Sequence, residues 1–342
     1  MKILLTADPE MPVPPKLYGG IERIVDLLVR ELLARGHEVG LVANRESTAP
    51  AARLFAWPGS RSQRPSDTAR NTLALWAAVR QFRPDILHSF SRALYLLPLL
   101  PAALPKIMSY QRKPGTRQVA CAAKLAGSSL VFTGCSEHIC RQGRAGGGTW
   151  KAIHNGVRLD TYTFRPSVAS DAPLVFLSRI ERLKGAHVAI EIARRTGRRL
   201  VIAGNHGSDG EDGRYWADEV RPHLGKQGIE YVGSVDDTRK NELLGSAAAL
   251  VVPIEWDEPF GIVFAEALAC GTPVISRPRG SLPEIVRHGV DGYLVSDVDE
   301  ACAAVERLPA IDRRECRLRA ETMFSAGTVA GQYEALYHQL FK

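Results

Sequence analysis

The sequence predicts an α/β protein with two Rossmann-like domains, each built on a parallel sheet covered by helices. Its 342 residues exceed one average domain and are enough for two domains with their own cores. Apolar segments of strand length alternate with amphipathic helical segments, which is typical of a parallel sheet covered on both faces. The alternation stops at a proline-containing linker and restarts near residue 173, so we expect a second copy of the same architecture.

The first round of alternation starts at the amino end of the chain. The apolar run "KILLTA" predicts a strand, and "GGIERIVDLLVRELLARG" predicts a helix that Gly36 ends before the strand "HEVGLVA". Next come the helix "DTARNTLALWAAVRQF", the strands "DILHSF" and "KIMSY", the helix "GTRQVACAAKLAG", the strand "SLVFTG", the helix "SEHICRQG" and the strand "WKAIH". We interpret "ALYLLPLLPAAL", which Pro98 and Pro101 interrupt, as a buried helix, because it is too short to span a membrane.

The linker "NGVRLDTYTFRPSVASDAP" places the boundary between the two rounds near residues 155 to 172. The second round has the strands "LVFLS", "RRLVIAG", "IEYVG", "AALVVP", "PVISR" and "GYLV", with helices around "RYWADEVRPHLG", "DDTRKNELLGSA", "GIVFAEALACG" and "LPEIVRHG". Ligands of open parallel sheets bind beyond the carboxyl ends of the strands. Two such sheets in tandem therefore predict a ligand site between the domains.

Composition and charge narrow the class of protein. Hydrophobic residues make up 45% and charged residues 24%, as in ordinary globular proteins, and six cysteines without paired spacing indicate reduced thiols in the cytoplasm. Residues 1–150 hold 20 Lys and Arg against 10 Asp and Glu, whereas the remainder holds 24 against 27. This asymmetry suggests that the first half meets an acidic acceptor or the inner membrane surface, and the alternative is a solvated arginine-rich surface. We expect no nucleic-acid partner.

The most informative segment is "WDEPFGIVFAEALACGTPV", in which a helix follows a buried strand. Gly261, Ile262 and Val263 lie in the first turn, where free N–H groups and the helix dipole suit a diphosphate. Glu258 precedes the helix and Glu266 lies on it among apolar neighbours. Because a buried carboxylate needs polar partners, Glu266 suits the hydroxyls of a ribose, whereas an acid near a helix start could explain Glu258 alone.

This pair of glutamates resembles the donor-binding motif of the family-four retaining glycosyltransferases, which have the GT-B fold. "GGIER", "SRIERLKG", "HNGVRLDTYTF", "YVGSV", "GTPVIS" and "LPEIVRHGVDGYLV" match family segments in order, so the resemblance spans nearly the whole chain. It implies an α/β GT-B protein whose two Rossmann-like domains face each other across a cleft. It also implies that the last segment, "FSAGTVAGQYEALYHQLF", packs back on the first domain. We therefore expect an acceptor-side domain of residues 1–155 plus a helix at about 324–342, and a nucleotide-sugar domain of residues 156–323.

The resemblance also implies the site. Arg179 and Lys184, at the ligand end of the second sheet, are the predicted clamp of the departing diphosphate, because fixed cations there stabilise the transition state, and Glu258 is predicted to hold the transferred sugar. The predicted donor-binding residues are Gly19, Gly20, Val235, Phe260, Gly261, Ile262, Val263 and Glu266. The implied reaction moves a sugar from a UDP-sugar, or alternatively a GDP-sugar, to a hydroxyl of a glycan, lipid or natural product with retention of configuration. The composition is similar to that of actinobacterial antibiotic-pathway enzymes of the family.

Two positions depart from the family pattern, and both concern the predicted sugar pocket. Gln111 stands where the family has a histidine near the sugar, so a group that cannot titrate takes that place. His88 is left alone because Phe90 replaces the second histidine of its strand motif, and either a sugar contact or a satisfied core histidine is consistent with it.

The sequence lacks the motifs of several other classes of nucleotide-binding enzyme. "GNHGSDG" has the wrong glycine spacing for a dinucleotide-binding oxidoreductase, and no phosphate-binding loop of the nucleoside triphosphatases occurs. Asp297 and Asp299 form a D-x-D sequence, but they open a helix and predict a cap, so we predict no essential metal or cofactor. A nucleotide-sugar epimerase, a phosphorylase and a nucleotide-sugar-binding protein without transferase activity remain alternatives.

Overall fold

The computed structural model describes residues 1–16 and 19–341 and divides into two compact units. Unit 1 comprises Met1–Gly156 together with Ala326–Lys342, and unit 2 comprises Val157–Ser325. Each unit holds one sheet whose strands are all parallel. The α/β class with two Rossmann-like sheets is therefore confirmed.

The sheet of unit 1 has seven strands in the order β3-β2-β1-β4-β5-β6-β7. The strands are β1 (Lys2–Thr6), β2 (Glu38–Ala43), β3 (Arg53–Ala56), β4 (Ile86–Ser89), β5 (Lys106–Tyr110), β6 (Leu130–Gly134) and β7 (Thr149–Ala152). The chain leaves β1 toward β2 on one side and returns to β4 on the other, so the order reverses between β1 and β4. Such a reversal opens a crevice at the carboxyl ends of the strands.

The helices of unit 1 cover both faces of its sheet. They are α1 (Gly20–Ala34), α2 (Pro65–Phe82), α3 (Thr116–Ala126), α4 (Glu137–Arg144) and, from the end of the chain, α12 (Ala326–Leu340). Gly36 adopts a φ of +82° directly after α1, which is the left-handed conformation that glycine tolerates at a helix end. Glu334 of α12 pairs with Arg35 at 2.9 Å and with His37 at 2.9 Å, which anchors the last helix within this unit.

The sheet of unit 2 has six strands in the order β10-β9-β8-β11-β12-β13. The strands are β8 (Leu174–Leu177), β9 (Leu200–Ala203), β10 (Ile229–Tyr231), β11 (Ala249–Val251), β12 (Val274–Ser276) and β13 (Gly292–Leu294). The helices are α5 (Ala186–Thr196), α6 (Gly210–Tyr215), α7 (Asp237–Ser246), α8 (Ile262–Ala269), α9 (Leu282–Ile285), α10 (Val298–Glu306) and α11 (Arg313–Arg319). Here the strand order reverses between β8 and β11, and α8 follows β11.

Several local predictions differ from the structure. The strand β3 was not expected, because its four residues are mostly exposed at the sheet edge and carry no apolar alternation. "ALYLLPLLPAAL" forms the predicted helix, as a 3-10 helix over Ala93–Leu99 with Pro98 inside it, but the helix is only partly buried because Leu94 and Leu97 are exposed. Asp297 caps α10 by accepting a hydrogen bond from the backbone N–H of Glu300, as its sequence position predicted.

Candidate functional site

The loop after β8 carries two of the predicted cations. Arg179 follows the strand closely and forms an ion pair with Glu181. Lys184 ends a 3-10 turn and is buried, with only 8% of its surface exposed. Gly185 then adopts a φ of +80°, and a side chain there would collide with the carbonyl oxygen of Pro253 at 2.4 Å. This close approach fixes the loop against the segment that follows β11.

The amine of Lys184 contacts another residue of the predicted site. Its Nζ lies 2.5 Å from Oε2 of Glu258, whose side chain is as well shielded as that of Lys184. Trp256 completes the arrangement, because its Nε1 donates to the same Oε2 at 2.9 Å while its ring lies 4.6 Å from the lysine Nζ. No described residue bonds the other carboxylate oxygen of Glu258, Oε1. A ligand hydroxyl could bond there.

A turn after β12 supports the loop that holds Glu258. The N–H of Ser281 donates to the carbonyl of Glu258 at 2.9 Å, and the Ser281 hydroxyl donates to the carbonyl of Phe260 at 3.0 Å. Gly280 lies so close that a side chain on it would sit 2.4 Å from the Glu258 nitrogen. The glutamate is therefore held by its backbone as well as by its carboxylate.

The amino end of α8 begins directly after this loop. Gly261 caps the helix with a φ of +77°, and a side chain there would lie 2.6 Å from the ring of Phe264 and 3.1 Å from Cγ of Glu258. No described side chain caps the first turn, so its N–H groups, those of Ile262 and Val263 included, suit an anion. Lys184, Glu258 and the helix start are thus in one place.

Glu266 lies one turn further along α8 and is 6% exposed. Its Oε1 accepts from the hydroxyl of Tyr162 at 2.6 Å and from Nζ of Lys240 at 2.6 Å. Its Oε2 has no bonding partner among the described residues. The two donors neutralise and orient the carboxylate, which leaves the second oxygen to a ligand.

The loop from β10 to α7 contains the half-buried Val235. It also contains Gly233, which has a φ of +76° and whose carbonyl accepts from the N–H of Gly204 at 2.9 Å. The carboxyl ends of β9 and β10 are thereby linked. Val235 consequently lies at the same edge of the unit 2 sheet as the loop that carries Arg179.

Four predicted residues belong to unit 1. Gly19 caps α1 and Gly20 begins it, and a side chain on Gly19 would collide with Pro15 at 2.6 Å. Gln111 directly follows β5, and its Oε1 accepts from Nδ2 of Asn155 at 2.7 Å, while its buried Nε2 has no partner in the part of the chain that the structure describes.

His88 lies in β4 and is fully buried. Its Nδ1 bonds the hydroxyl of Tyr337 at 2.7 Å and its Nε2 bonds the hydroxyl of Ser109 at 2.7 Å. Burial lowers the pKa of this histidine to about 3. The structure thus shows the satisfied core histidine that was one of its two interpretations, and we leave His88 out of the proposed sugar pocket.

Comparison with known proteins identifies the family to which the chain belongs. A model described as Glycosyltransferase Family 4 matches residues 18–161, and one described as Glycosyl transferases group 1 matches residues 165–319. The two models together account for most of both units. The chain is a member of glycosyltransferase family 4. The resemblance predicted from the glutamate motif is therefore confirmed.

This glycosyltransferase is similar to the glycogen synthase of Mycobacterium tuberculosis (strain ATCC 25618 / H37Rv), with 34% identity over 185 residues. That segment covers 51% of this chain and 44% of the synthase, so the match spans less than half of the relative. It is also similar to the solved structure of AviGT4, a glycosyltransferase of avilamycin A biosynthesis, with 26% identity, a TM-score of 0.74, and coverage of 99% of this chain and 98% of that one.

A further solved structure, Anabaena HepE in complex with UDP-glucose, has the same fold as this glycosyltransferase. Its TM-score is 0.74 at 19% identity, and the match covers 99% of this chain and 100% of that one. These likenesses confirm the GT-B fold class.

Sequence reasoning missed three residues that shape the site of this glycosyltransferase: Tyr162, Lys240 and Trp256. Each is distant in sequence from the carboxylate that it bonds, except Trp256, which stands two residues before Glu258. Trp256 was inside the quoted motif, so its proximity was a usable signal. Tyr162 lies in the quoted family segment "HNGVRLDTYTF" and Lys240 lies on the helix predicted at "DDTRKNELLGSA". Both reach Glu266 only through the tertiary fold, so the sequence did not pair either residue with it.

Proposed function

We propose that the protein is a retaining, metal-independent glycosyltransferase that moves a sugar from a nucleotide diphosphate donor to an acceptor hydroxyl. The observation that carries the proposal is the buried Lys184–Glu258 pair beside the open amino end of α8. A cation, a carboxylate with a free oxygen and a set of N–H groups suit a diphosphate that carries a sugar. The tight support of this pair favours a ligand site over a surface ion pair.

Unit 2 holds the groups that suit each part of the donor. The free oxygen of Glu266 would accept hydrogen bonds from ribose hydroxyls, and the free oxygen of Glu258 would accept one from the transferred sugar. Val235 and its neighbours would frame the base. We propose a UDP-sugar first and a GDP-sugar second, because the fold neighbour HepE was solved with UDP-glucose.

In the proposed reaction, the bond between sugar C1 and the β-phosphate oxygen breaks as the acceptor oxygen attacks C1 from the same face. The acceptor proton passes to an oxygen of the departing phosphate, so no protein nucleophile is required. Lys184 and Arg179 stabilise the negative charge that develops on the diphosphate, together with the N–H groups of Gly261, Ile262 and Val263. To reach the diphosphate, Lys184 would share its charge between Glu258 and the phosphate.

The test is a transfer assay with the full chain. UDP-glucose, UDP-galactose, UDP-N-acetylglucosamine and GDP-mannose are each incubated with a panel of glycan, lipid and natural-product acceptors, with and without EDTA. We expect nucleotide release that depends on an acceptor and persists in EDTA, and a product whose anomeric configuration by NMR equals that of the donor. Loss of activity in EDTA or an inverted product would contradict the metal-independent or retaining part of the proposal.

The same assay separates the alternatives. A nucleotide-sugar-binding protein without transferase activity would bind UDP in a titration and release no product with any acceptor. An epimerase would change the configuration of the donor sugar while the nucleotide stays attached. We favour the transferase because the chain belongs to glycosyltransferase family 4.

We further propose that the protein acts in the cytoplasm and contacts the inner membrane peripherally through unit 1. On α2, Leu73 and Trp76 are 64% and 42% exposed, and the guanidinium of Arg80 lies 4.8 Å from the Trp76 ring. Apolar side chains next to arginines suit a bilayer that contains anionic lipids. Among the described residues, none of the helices has the length and apolar character needed to cross a bilayer. Similarity to AviGT4 supports a natural-product acceptor of an antibiotic pathway.

A further inference from the structure

Acidic side chains gather at the carboxyl edge of the unit 1 sheet. Asp8 follows β1, and its Oδ1 accepts from the N–H of Arg92, which follows β4, at 3.1 Å. Arg112, after β5, lies 3.6 Å from Oδ2 of Asp8. The three central strands thus end around one carboxylate, at the position where the strand order reverses.

Glu22, in the first turn of α1, belongs to the same group. Asp8, Glu10 and Arg112 all act on it electrostatically, and burial together with the two acids raises its pKa. Only 3% of Glu22 is exposed, and no residue within the described ranges 1–16 and 19–341 hydrogen-bonds its Oε2. A side chain on Gly19 would lie 2.9 Å from this oxygen, so the glycine allows the carboxylate of Glu22 to approach the backbone closely.

A purely structural role explains only part of this arrangement. An acid in the first turn of a helix favours the helix dipole, and one oxygen of Glu22 can bond its own backbone N–H. Neither effect explains a second oxygen that is buried without a partner, because leaving a buried acceptor unpaired costs free energy. A bound donor group would satisfy it.

We propose that Glu22 and Asp8 form the subsite that holds the acceptor, and that this subsite takes an uncharged polyhydroxy group such as a sugar ring. Hydroxyl groups donate to carboxylates, whereas a phosphate or carboxylate on the acceptor is repelled by Glu22, Asp8 and Glu10. The proposal rests on the proposed transferase function and names the acceptor class for it.

Glu10 and Asp8 make the subsite sensitive to pH. Burial and the neighbouring Glu10 raise the pKa of Asp8 to about 6, although Arg112 and the Arg92 N–H act in the opposite direction. A protonated Asp8 accepts hydrogen bonds less well than a carboxylate does. Affinity for a polyhydroxy ligand therefore falls as the pH drops through about 6.

The test uses saturation-transfer NMR on the full chain with defined probes. These are methyl α-D-glucopyranoside, methyl α-D-galactopyranoside, methyl α-D-mannopyranoside and glucose 6-phosphate, at pH 7.5 and pH 5. We expect at least one methyl glycoside to bind at pH 7.5, more weakly at pH 5, and at least tenfold more tightly than glucose 6-phosphate. Glu22→Gln should weaken that binding about tenfold, the value of one hydrogen bond to a charged group.

Glu38→Gln is the matched control, because Glu38 is exposed at the amino end of β2 and should leave binding unchanged. Asp8→Asn provides a second variant should Glu22→Gln fold poorly by circular dichroism. The subsite is overturned if no glycoside binds, if both variants bind as the unchanged protein does, or if glucose 6-phosphate binds equally well. A UDP titration of the unchanged protein tests the donor side separately, so failure of the subsite is distinguishable from failure of the transferase proposal.

Discussion

The hydroxyl of Tyr162 donates to Oε1 of Glu266 at 2.6 Å, although 104 residues separate the two. Lys240 donates to the same oxygen, so two side chains from different segments orient one carboxylate. The opposite oxygen stays open to a ligand. Donor binding should therefore depend on residues that never touch the donor.

Replacing Tyr162 tests this dependence. Tyr162→Phe removes one hydrogen bond to Glu266 and should raise the KM for the nucleotide sugar about three- to tenfold, with kcat nearly unchanged. Tyr293→Phe is the control, because the Tyr293 hydroxyl donates to the carbonyl of Arg307, away from Glu266, in unit 2. Steady-state kinetics at varied donor concentration checks the prediction, and a fall in kcat without a change in KM would contradict it.

Removing the amine of Lys184 should affect turnover and stability together. Lys184→Met should lower kcat about 100- to 1,000-fold, because a fixed charge at the leaving group is lost. It should also destabilise the fold by about 3 kcal/mol, since Glu258 stays shielded without its cation. The double variant Lys184→Met/Glu258→Gln should recover stability in urea unfolding but not activity. Recovery of activity in the double variant would show that Lys184 only neutralises Glu258.

The start of α8 should not tolerate a side chain on its cap. Gly261→Ala places a Cβ 2.6 Å from Phe264 at a φ of +77°, which should destabilise the protein by more than 2 kcal/mol and abolish UDP binding. Gly289→Ala is the matched control for Gly261→Ala. Gly289 has a similar φ of +79°, but no described atom lies within 4 Å of the position that its Cβ would take. That control should lose only about 1 kcal/mol and bind UDP normally. Thermal unfolding and UDP titration measure both, and equal losses in the two variants would argue against steric control.

His88 should make stability depend on pH without shaping catalysis. Its pKa in the folded protein is about 3, below the value of about 6.5 in an unfolded chain, so the unfolded state binds the proton first as the pH falls. This contribution is complete above pH 6.5 and is lost progressively toward pH 3, by about 1.4 kcal/mol per unit. Urea unfolding at pH 7.5 and 5.5 should show the loss, and His88→Gln should reduce the difference. If the free energy of unfolding changes with pH in the variant as it does in the unchanged protein, other groups cause the pH dependence.

Membrane contact can be tested on the exposed face of α2. Leu73→Ser/Trp76→Ser should reduce flotation with vesicles containing phosphatidylglycerol several-fold, because the two side chains supply the apolar contact. Leu318→Ser, an equally exposed position in unit 2, serves as the control. Flotation with purely zwitterionic vesicles should be weak for all variants. Equal flotation of the double variant and the unchanged protein would place the contact elsewhere.

The sequence allowed the alternation of strands and helices to be predicted, because burial on both faces of a parallel sheet demands continuous apolar strands. It also predicted that Glu258 precedes α8 and that Glu266 lies on it, since local spacing determines both. The resemblance to the family predicted that Glu258, Glu266, Lys184 and Gly261 belong to one site, and all four lie in unit 2. Gly36 and Asp297 were predicted correctly at helix ends for the same local reason.

Partners between distant segments could not be predicted in this way. The Lys184–Glu258 bond, the Tyr162 and Lys240 contacts to Glu266 and the enclosure of His88 by Ser109 and Tyr337 all join residues from separate elements. A hydrogen bond requires its two heavy atoms to lie within about 3 Å of each other. The separation of two residues along the sequence does not determine that distance when they belong to different helices, strands or loops. Folding brings these groups together, and their burial then decides which carboxylate oxygens remain open to a ligand.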